Sequence, residues 1–257
     1  MKTETEKPNS PVRLPKRVRE SSKRDYGRLL ILAGSRGYTG APSFASRAAV
    51  RGGAGLVWLG VPESIYAVTA VKNDEAMPFP LPCDAQGRLT AEALPEVEAR
   101  LERMSCLAIG PGLGRSAGVT EFVQGALAAS RVPTVVDADA LWALSRDMSS
   151  LEDAACPLVL TPHEGEFAML GGLLDGDRVA SARRFASRWG CTLVLKGSGS
   201  VVAFPDGECY VNQTGNPGMA RGGSGDVLTG LMAAMLCQLP FRDAVRAAVY
   251  LHGLAGD

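Results

Sequence analysis

The chain is punctuated by short, unbroken apolar runs, most of them followed by a turn and a stretch whose apolar residues recur at helical spacing. The runs fall at 28–33, 55–60, 107–110, 134–137, 158–161, 192–196, 200–204 and 208–211. The helical stretches fall at 42–52, 91–104, 117–130, 138–146, 165–170, 178–189, 225–238 and 243–255. Apolar runs that do not alternate with polar residues suit strands covered on both faces. Their alternation with helices predicts an α/β fold: a doubly wound, mostly parallel central sheet flanked by helices on both faces. The runs 200–204 and 208–211, joined across Pro205-Asp206-Gly207, predict a hairpin appended to that sheet.

Charge and cysteine usage remove several function classes. Lys+Arg and Asp+Glu both total 27, a formal net charge of zero, which argues against a nucleic-acid binder with a broad basic face. No segment approaches the roughly 20 apolar residues of a membrane span. Residues 1–25 mix basic residues with prolines and glutamates and contain no apolar core, unlike a secretory leader. They are expected to form a solvated or loosely docked arm ahead of a single domain over 26–257. Six cysteines without a C-x-x-C pair and only two histidines give a structural zinc site little to draw on. Free thiols and a cytoplasmic location are the expectation.

Ligands of open parallel sheets bind beyond the carboxyl ends of the strands, where the glycine-rich segments of this chain fall. The richest runs from Gly215 to Asp226, with five glycines in the eleven residues before the aspartate, and leads directly into a helix. Glycines let backbone N–H groups converge, and the helix start adds partial positive charge, so the segment suits a phosphate or phosphoryl-transfer transition state. Asp226 at its mouth is placed to accept a proton from an attacking hydroxyl, or else stabilises the helix start; the glycine density favours the first. Gly34-Ser35-Arg36-Gly37-Tyr38-Thr39-Gly40-Ala41 and Gly110-Pro111-Gly112-Leu113-Gly114 follow strands, but neither is a dinucleotide fingerprint or a P-loop. His163, in Thr161-Pro162-His163-Glu164-Gly165-Glu166, is a structural or a functional histidine. Of Asp137 and Asp139, one is expected to cap the following helix. Lys196, the only lysine after Lys72, opens Lys196-Gly197-Ser198-Gly199-Ser200, either a nucleotide-holding loop or an ordinary turn.

Taken in order, these segments resemble the ADP/ATP-dependent NAD(P)H-hydrate dehydratase family, a carbohydrate-kinase-like domain of the ribokinase-like superfamily. The matching stretches include G-P-G-L-G from Gly110, V-V-D-A-D-A-L from Val135, T-P-H-E-G-E from Thr161, L-K-G-S-G-S from Leu195 and N-P-G-M-A-R-G-G-S-G-D from Asn216. The resemblance implies repair of hydrated NADH or NADPH, by phosphorylation of the ring hydroxyl and then elimination of phosphate. It implies that Asp226 is the base and that backbone amides between Gly222 and Gly225, with Gly223 and Gly225 catalytic, stabilise the transferring group. Ala41, Gly112, Gly114, His163 and Asp226 would contact the hydrated dinucleotide. Lys196, Gly197, Ser198, Gly199, Ser200 and Gly225 would hold ADP or ATP, with ADP the expected donor. Mg²⁺ would arrive on the nucleotide, with no dedicated protein site and Glu166 the one side chain expected to touch it. A homotetramer and a separate NAD(P)H-hydrate epimerase complete what the resemblance implies. Arg221 departs from it, standing where the family pattern has threonine. Two other readings keep part of the pattern: a vitamin-precursor kinase sharing Asp226, and an inactive nucleotide sensor sharing the fold. The N-P-G-M-A and T-P-H-E-G-E segments point to the dehydratase.

Overall fold

A computed structural model describes residues 10–257. Seven strands run parallel: β1 (Arg28–Leu32), β2 (Leu56–Pro62), β3 (Met77–Leu81), β4 (Cys106–Ile109), β5 (Thr134–Val136), β6 (Leu158–Leu160) and β7 (Thr192–Leu195). β8 (Val201–Ala203) and β9 (Cys209–Val211) add antiparallel, giving the order β3-β2-β1-β4-β5-β6-β7-β8-β9. The hairpin closes through Phe204 N–H to Glu208 O at 2.8 Å, with Gly207 at φ +90°.

The unbroken apolar runs are explained by the two cores. Leu29 and Ile31 of β1 point into one buried cluster, Leu30 and Leu32 into the other, so successive residues serve opposite faces. The first face is covered by α1 (Gly40–Arg51), α8 (Ser224–Leu236) and α9 (Phe241–Gly256). The second carries α3 (Leu94–Leu101), α4 (Ala117–Ala129), α5 (Asp139–Leu144), α6 (Glu164–Met169) and α7 (Arg178–Trp189).

Two elements lay outside the sequence expectation. β3 reads M-P-F-P-L, and proline is excluded from central strands; at the sheet edge its missing N–H is tolerated. α2 (Glu63–Lys72) buries only Ile65 and Thr69, so its apolar stripe is one residue wide and its β-branched content hides the helix. The expected helix 91–104 is shorter: Ala91–Ala93 forms a 3-10 turn, and α3 begins with Pro95 in its first turn, where the missing N–H costs nothing. Elsewhere the ends differ by at most two residues, and α7 matches at both ends.

Of the expected arm, residues 1–9 lie outside the described residues. Within 10–25 most side chains are exposed, and Arg17 is the anchor, donating to Gly53 O at 2.6 Å with its guanidinium 3.8 Å over the Tyr26 ring. A cleft of about 820 Å³ opens between this arm and the far ends of α1 and α8, lined by Lys16, Arg17, Arg51 and Gln238 among others. It lies at the opposite ends of those helices from the glycine-rich loops. Among the described residues the cysteines are free, no helix is long and apolar enough to cross a membrane, and no His/Cys/Asp/Glu cluster suits a metal ion.

Candidate active site

The chain leaves β1 for β2 on one side and later enters β4 on the other, so the strand order reverses between β1 and β4. The loops after these two strands therefore diverge and flank a crevice. They also interlock. Gly34 N–H donates to Pro111 O at 2.8 Å and the Ser35 hydroxyl to Gly112 O at 2.8 Å. A Cβ on Gly112, whose φ is +66°, would stand 2.9 Å from Tyr38 Cβ and 3.0 Å from Ala41 Cβ. Ala41 and Gly112, expected on the same ligand, are thus in contact. Gly114 N–H is held by Asp139 Oδ2 at 2.9 Å.

α8 brings its N-terminus to the same place. Gly230, two turns into the helix, lies against the backbone of α1: an added Cβ would be 1.9 Å from Ala45 O. Only glycine permits that approach, and it sets the start of α8, with Gly225 and Asp226, beside the start of α1, with Ala41. Gly223 turns the chain into the helix at φ +93° and packs on the Phe44 ring. The Ser224 hydroxyl donates to Met219 O at 2.7 Å, and Asn216 caps the Pro217–Met219 turn through Gly218 N–H at 2.9 Å. The N–H groups of Gly222, Gly223, Gly225 and Asp226 have no partner among the described residues, so four backbone donors are left free around a helix start. Arg221 is exposed and forms no salt bridge among the described residues.

Beneath this mouth lies a charged cluster. Asp137, 2% exposed at the end of β5, accepts Lys196 Nζ at 2.8 Å and the Thr229 hydroxyl at 2.6 Å. Lys196, at the end of β7, also faces Glu166 Oε2 at 3.5 Å. Burial pushes the Asp137 carboxyl up, but the Lys196 ammonium and the hydroxyls outweigh it and leave it below its ordinary value. Burial works the other way on Lys196, and the Asp137 and Glu166 carboxylates outweigh it, raising the ammonium. Asp226 gains no such partner. Burial first, then the nearby Asp137 and Asp139 charges, raise it to about 6, with Lys196 opposing. Glycine at 225 leaves the space between these groups open: a Cβ there would be 3.5 Å from Lys196 Nζ and 3.7 Å from Asp137 Oδ2.

The cap expected from Asp137 or Asp139 is not formed. The residue at the start of α5 is Ala138, at φ +50° and ψ −121°, with no side-chain cap; Asp137 turns inward to Lys196, and Asp139 reaches across to Gly114 and Arg115. His163 is a structural cap with an exposed ring: Nδ1 accepts Gly165 N–H at 3.0 Å and Glu166 N–H at 3.2 Å, and the side chain is 61% exposed. Of the expected nucleotide loop, Lys196 stands with the Asp226 cluster. Gly197, Ser198 and Gly199 are exposed, and the Ser200 hydroxyl closes the turn onto Gly197 O at 3.0 Å. Thr229 and His252 were not expected. Thr229 follows Asp226 by three residues on one helix face, a spacing that could have marked it. His252 of α9 lies near the Ser224 backbone, its imidazole lowered by burial and by Lys196.

The family model for NAD(P)H-hydrate dehydratase matches residues 29–257. A bifunctional NAD(P)H-hydrate repair enzyme of Moorella thermoacetica is 46% identical over 250 residues, 95% of this chain and 47% of that protein. An ADP-dependent (S)-NAD(P)H-hydrate dehydratase of Bacillus subtilis is 38% identical over 95% of this chain and 85% of its own length. A crystal structure of an ADP/ATP-dependent NAD(P)H-hydrate dehydratase from Bacillus subtilis, co-crystallized with ATP and Mg²⁺, superposes with TM-score 0.81 at 35% identity, covering 94% of this chain and 83% of that one. A ribokinase-like superfamily protein of Enterococcus faecalis gives 0.83 at 30% identity, over 94% and 82%. The chain spans about half the length of the bifunctional relatives it matches.

Proposed function

The chain belongs to the NAD(P)H-hydrate dehydratase family, and from that membership we propose that it restores NADH or NADPH from the S-epimer of their hydrated forms, using ADP or ATP. The observation that carries the reading is Asp226: a carboxylate raised to about 6, at the first turn of α8, beside unpartnered backbone N–H groups. A base near neutrality is ionised at cellular pH and still basic enough to accept a hydroxyl proton.

In this reading Asp226 takes the proton of the ring hydroxyl as its oxygen attacks the terminal phosphorus of ADP or ATP, and the bridging P–O bond breaks to release AMP or ADP. The N–H groups of Gly222, Gly223 and Gly225 meet the negative charge that develops on the transferring group. The phosphate then leaves as the ring nitrogen's lone pair forms an iminium, and loss of the neighbouring carbon's proton restores the dihydronicotinamide. That second half belongs to the substrate, and the protein's part is to hold the ring. Ala41, Gly112, Gly114 and His163 line its side of the crevice, and Lys196 through Ser200 with Gly225 receive the nucleotide.

Mg²⁺ carried on phosphates keeps most of its waters and needs few protein oxygens. Glu166 fits that need: Oε2 accepts His163 N–H at 2.8 Å and faces Lys196, while Oε1 has no partner among the described residues. The ion would neutralise charge on the transferring phosphoryl oxygens. The same reading carries a cytoplasmic enzyme, assembled as a homotetramer, that works beside an NAD(P)H-hydrate epimerase.

The test is the near-ultraviolet absorbance of the restored dihydronicotinamide, after mixing the protein with hydrated NADH, Mg²⁺ and either ADP or ATP. A rise that requires nucleotide and is abolished in Asp226→Asn, which still binds nucleotide, is the expected result. Near-normal turnover in that variant removes Asp226 as the base.

A further inference from the structure

Lys196 through Ser200 leave β7 as a loop whose tip, Gly197 to Gly199, is exposed and is closed by the Ser200 hydroxyl on Gly197 O. The Lys196 side chain is tied to Asp137, and the loop's backbone is met from α7 by the side chain of Arg178. Arg178 is the first residue of α7, whose start is fixed by Asp177 accepting Val179 N–H at 2.9 Å and Ala180 N–H at 3.0 Å. Its guanidinium donates through Nη2 to Lys196 O at 3.2 Å and, more weakly, to Leu195 O at 3.4 Å, and through Nη1 to the Glu164 carboxylate. Nε is buried without a partner among the described residues, so all the directional bonding of this group runs through its two Nη ends.

Those two ends join the two halves of the site. Glu164 is the first residue of α6, next to His163 on the dinucleotide side and two residues before Glu166, which faces Lys196. Lys196 O belongs to the nucleotide loop, and Lys196 N–H is held from the α6 side by Pro162 O at 2.8 Å. Lys196 is therefore held through both its N–H and its carbonyl. Gly197 completes the fit: a Cβ there would stand 2.7 Å from Arg178 Nη2, so the guanidinium occupies the place a side chain would take.

We propose that Arg178 is the positioning residue for nucleotide binding, its fork clamping the Lys196–Gly197 backbone to the start of α6. The proposal rests on the reading of Lys196–Ser200 as the nucleotide loop. Only a planar fork reaches two carbonyls and a carboxylate at once; an ammonium on a flexible stem cannot hold that geometry. The guanidinium acts through the backbone of the loop, so its loss should appear in nucleotide affinity rather than in handling of the dinucleotide.

The experiment compares wild type, Arg178→Lys and Glu164→Gln. It reads direct binding of ADP·Mg²⁺ and ATP·Mg²⁺ by calorimetry, thermal melting, and separate KM values for nucleotide and hydrated NADH. Arg178→Lys is expected to weaken nucleotide binding about 10-fold while leaving the KM for hydrated NADH within about 2-fold. Glu164→Gln keeps both carbonyl bonds and loses only the carboxylate that orients Nη1, so about a 3-fold loss confined to the nucleotide is expected. If Arg178→Lys does not fold, that second variant decides. Nucleotide affinity unchanged in a folded variant, or both KM values rising in parallel, overturns the positioning role. A wild type that binds neither ADP nor ATP overturns the nucleotide-loop reading and the proposal with it.

Discussion

Gly230→Ala offers a test in which two physical effects predict opposite signs. In an isolated helix the change stabilises, since alanine is favoured over glycine by about 1 kcal/mol. In α8 the new methyl would sit 1.9 Å from Ala45 O and 2.7 Å from Ala45 C, atoms of the α1 backbone that cannot swing aside as a flexible side chain would. Reaching an ordinary contact requires α1 and α8 to part by roughly 1.5 Å, at the upper end of overpacking costs, about 3 kcal/mol. The net loss is about 2 kcal/mol, a fall in Tm of about 4–8 °C for a domain of this size. The same separation moves Ala41 away from Gly225 and Asp226, and a displacement near 1 Å at a reacting centre can lower turnover about 100-fold. Thermal melting and the dihydronicotinamide absorbance assay read the two effects. A Tm that rises by the propensity increment, with turnover intact, would show that the two backbones do not meet at this residue.

Further outcomes follow from the charged cluster. With Asp226 raised to about 6, kcat/KM should fall as pH drops through that value, because the protonated carboxyl cannot act as base; a profile flat down to about pH 5 refutes the assignment. Asp226 holds its proton more tightly folded than unfolded, so it contributes stability at low pH that is lost as pH rises from its ordinary 3.8 through about 6. Asp226→Asn should therefore melt above the wild type at neutral pH, with the gap closing in acid; equal melting at both pH values counts against a raised carboxyl. Asp137→Asn leaves the Lys196 ammonium with only Glu166 at 3.5 Å, and breaking such a buried pair costs about 3 kcal/mol, lowering Tm by about 6–12 °C. The double variant Asp137→Asn/Lys196→Met should recover much of that loss, and additive losses would show that the two groups are not a pair.

The parallel sheet was readable because strands covered on both faces are apolar without alternation, as in the four buried residues Leu29, Leu30, Ile31 and Leu32 of β1. Helix α2 was not, because two buried residues in ten leave no face to see. In the site, the loops at Gly34, Gly110 and Gly223 were visible as glycine density after strands, since close approach and positive φ demand that residue type. The pairing of Asp137 with Lys196 was not, because it depends on β5 and β7 flanking β6 and joins residues 59 positions apart. Asp139 looked like a helix cap from its neighbours; its true partner, Gly114 N–H, lies 25 residues earlier on the adjacent strand's loop.

The prolines of β3 have a consequence for how copies of this chain can meet. N–H groups along a strand point alternately to its two sides, and Pro78 and Pro80 have none. The ladder to β2 must then draw its donors from Met77, Phe79 and Leu81, and Pro78 and Pro80 occupy the outward-facing positions. That border of the sheet offers carbonyls but no donors at two consecutive outward positions, so an extended segment from another molecule cannot continue the ladder there. At the opposite border stands a three-residue strand, β9, too short to template a long partner. Sheet extension from one molecule into the next, the first step of fibrous polymerisation, is blocked at one end and starved at the other. Any higher assembly of this chain is therefore left to its helices and loops.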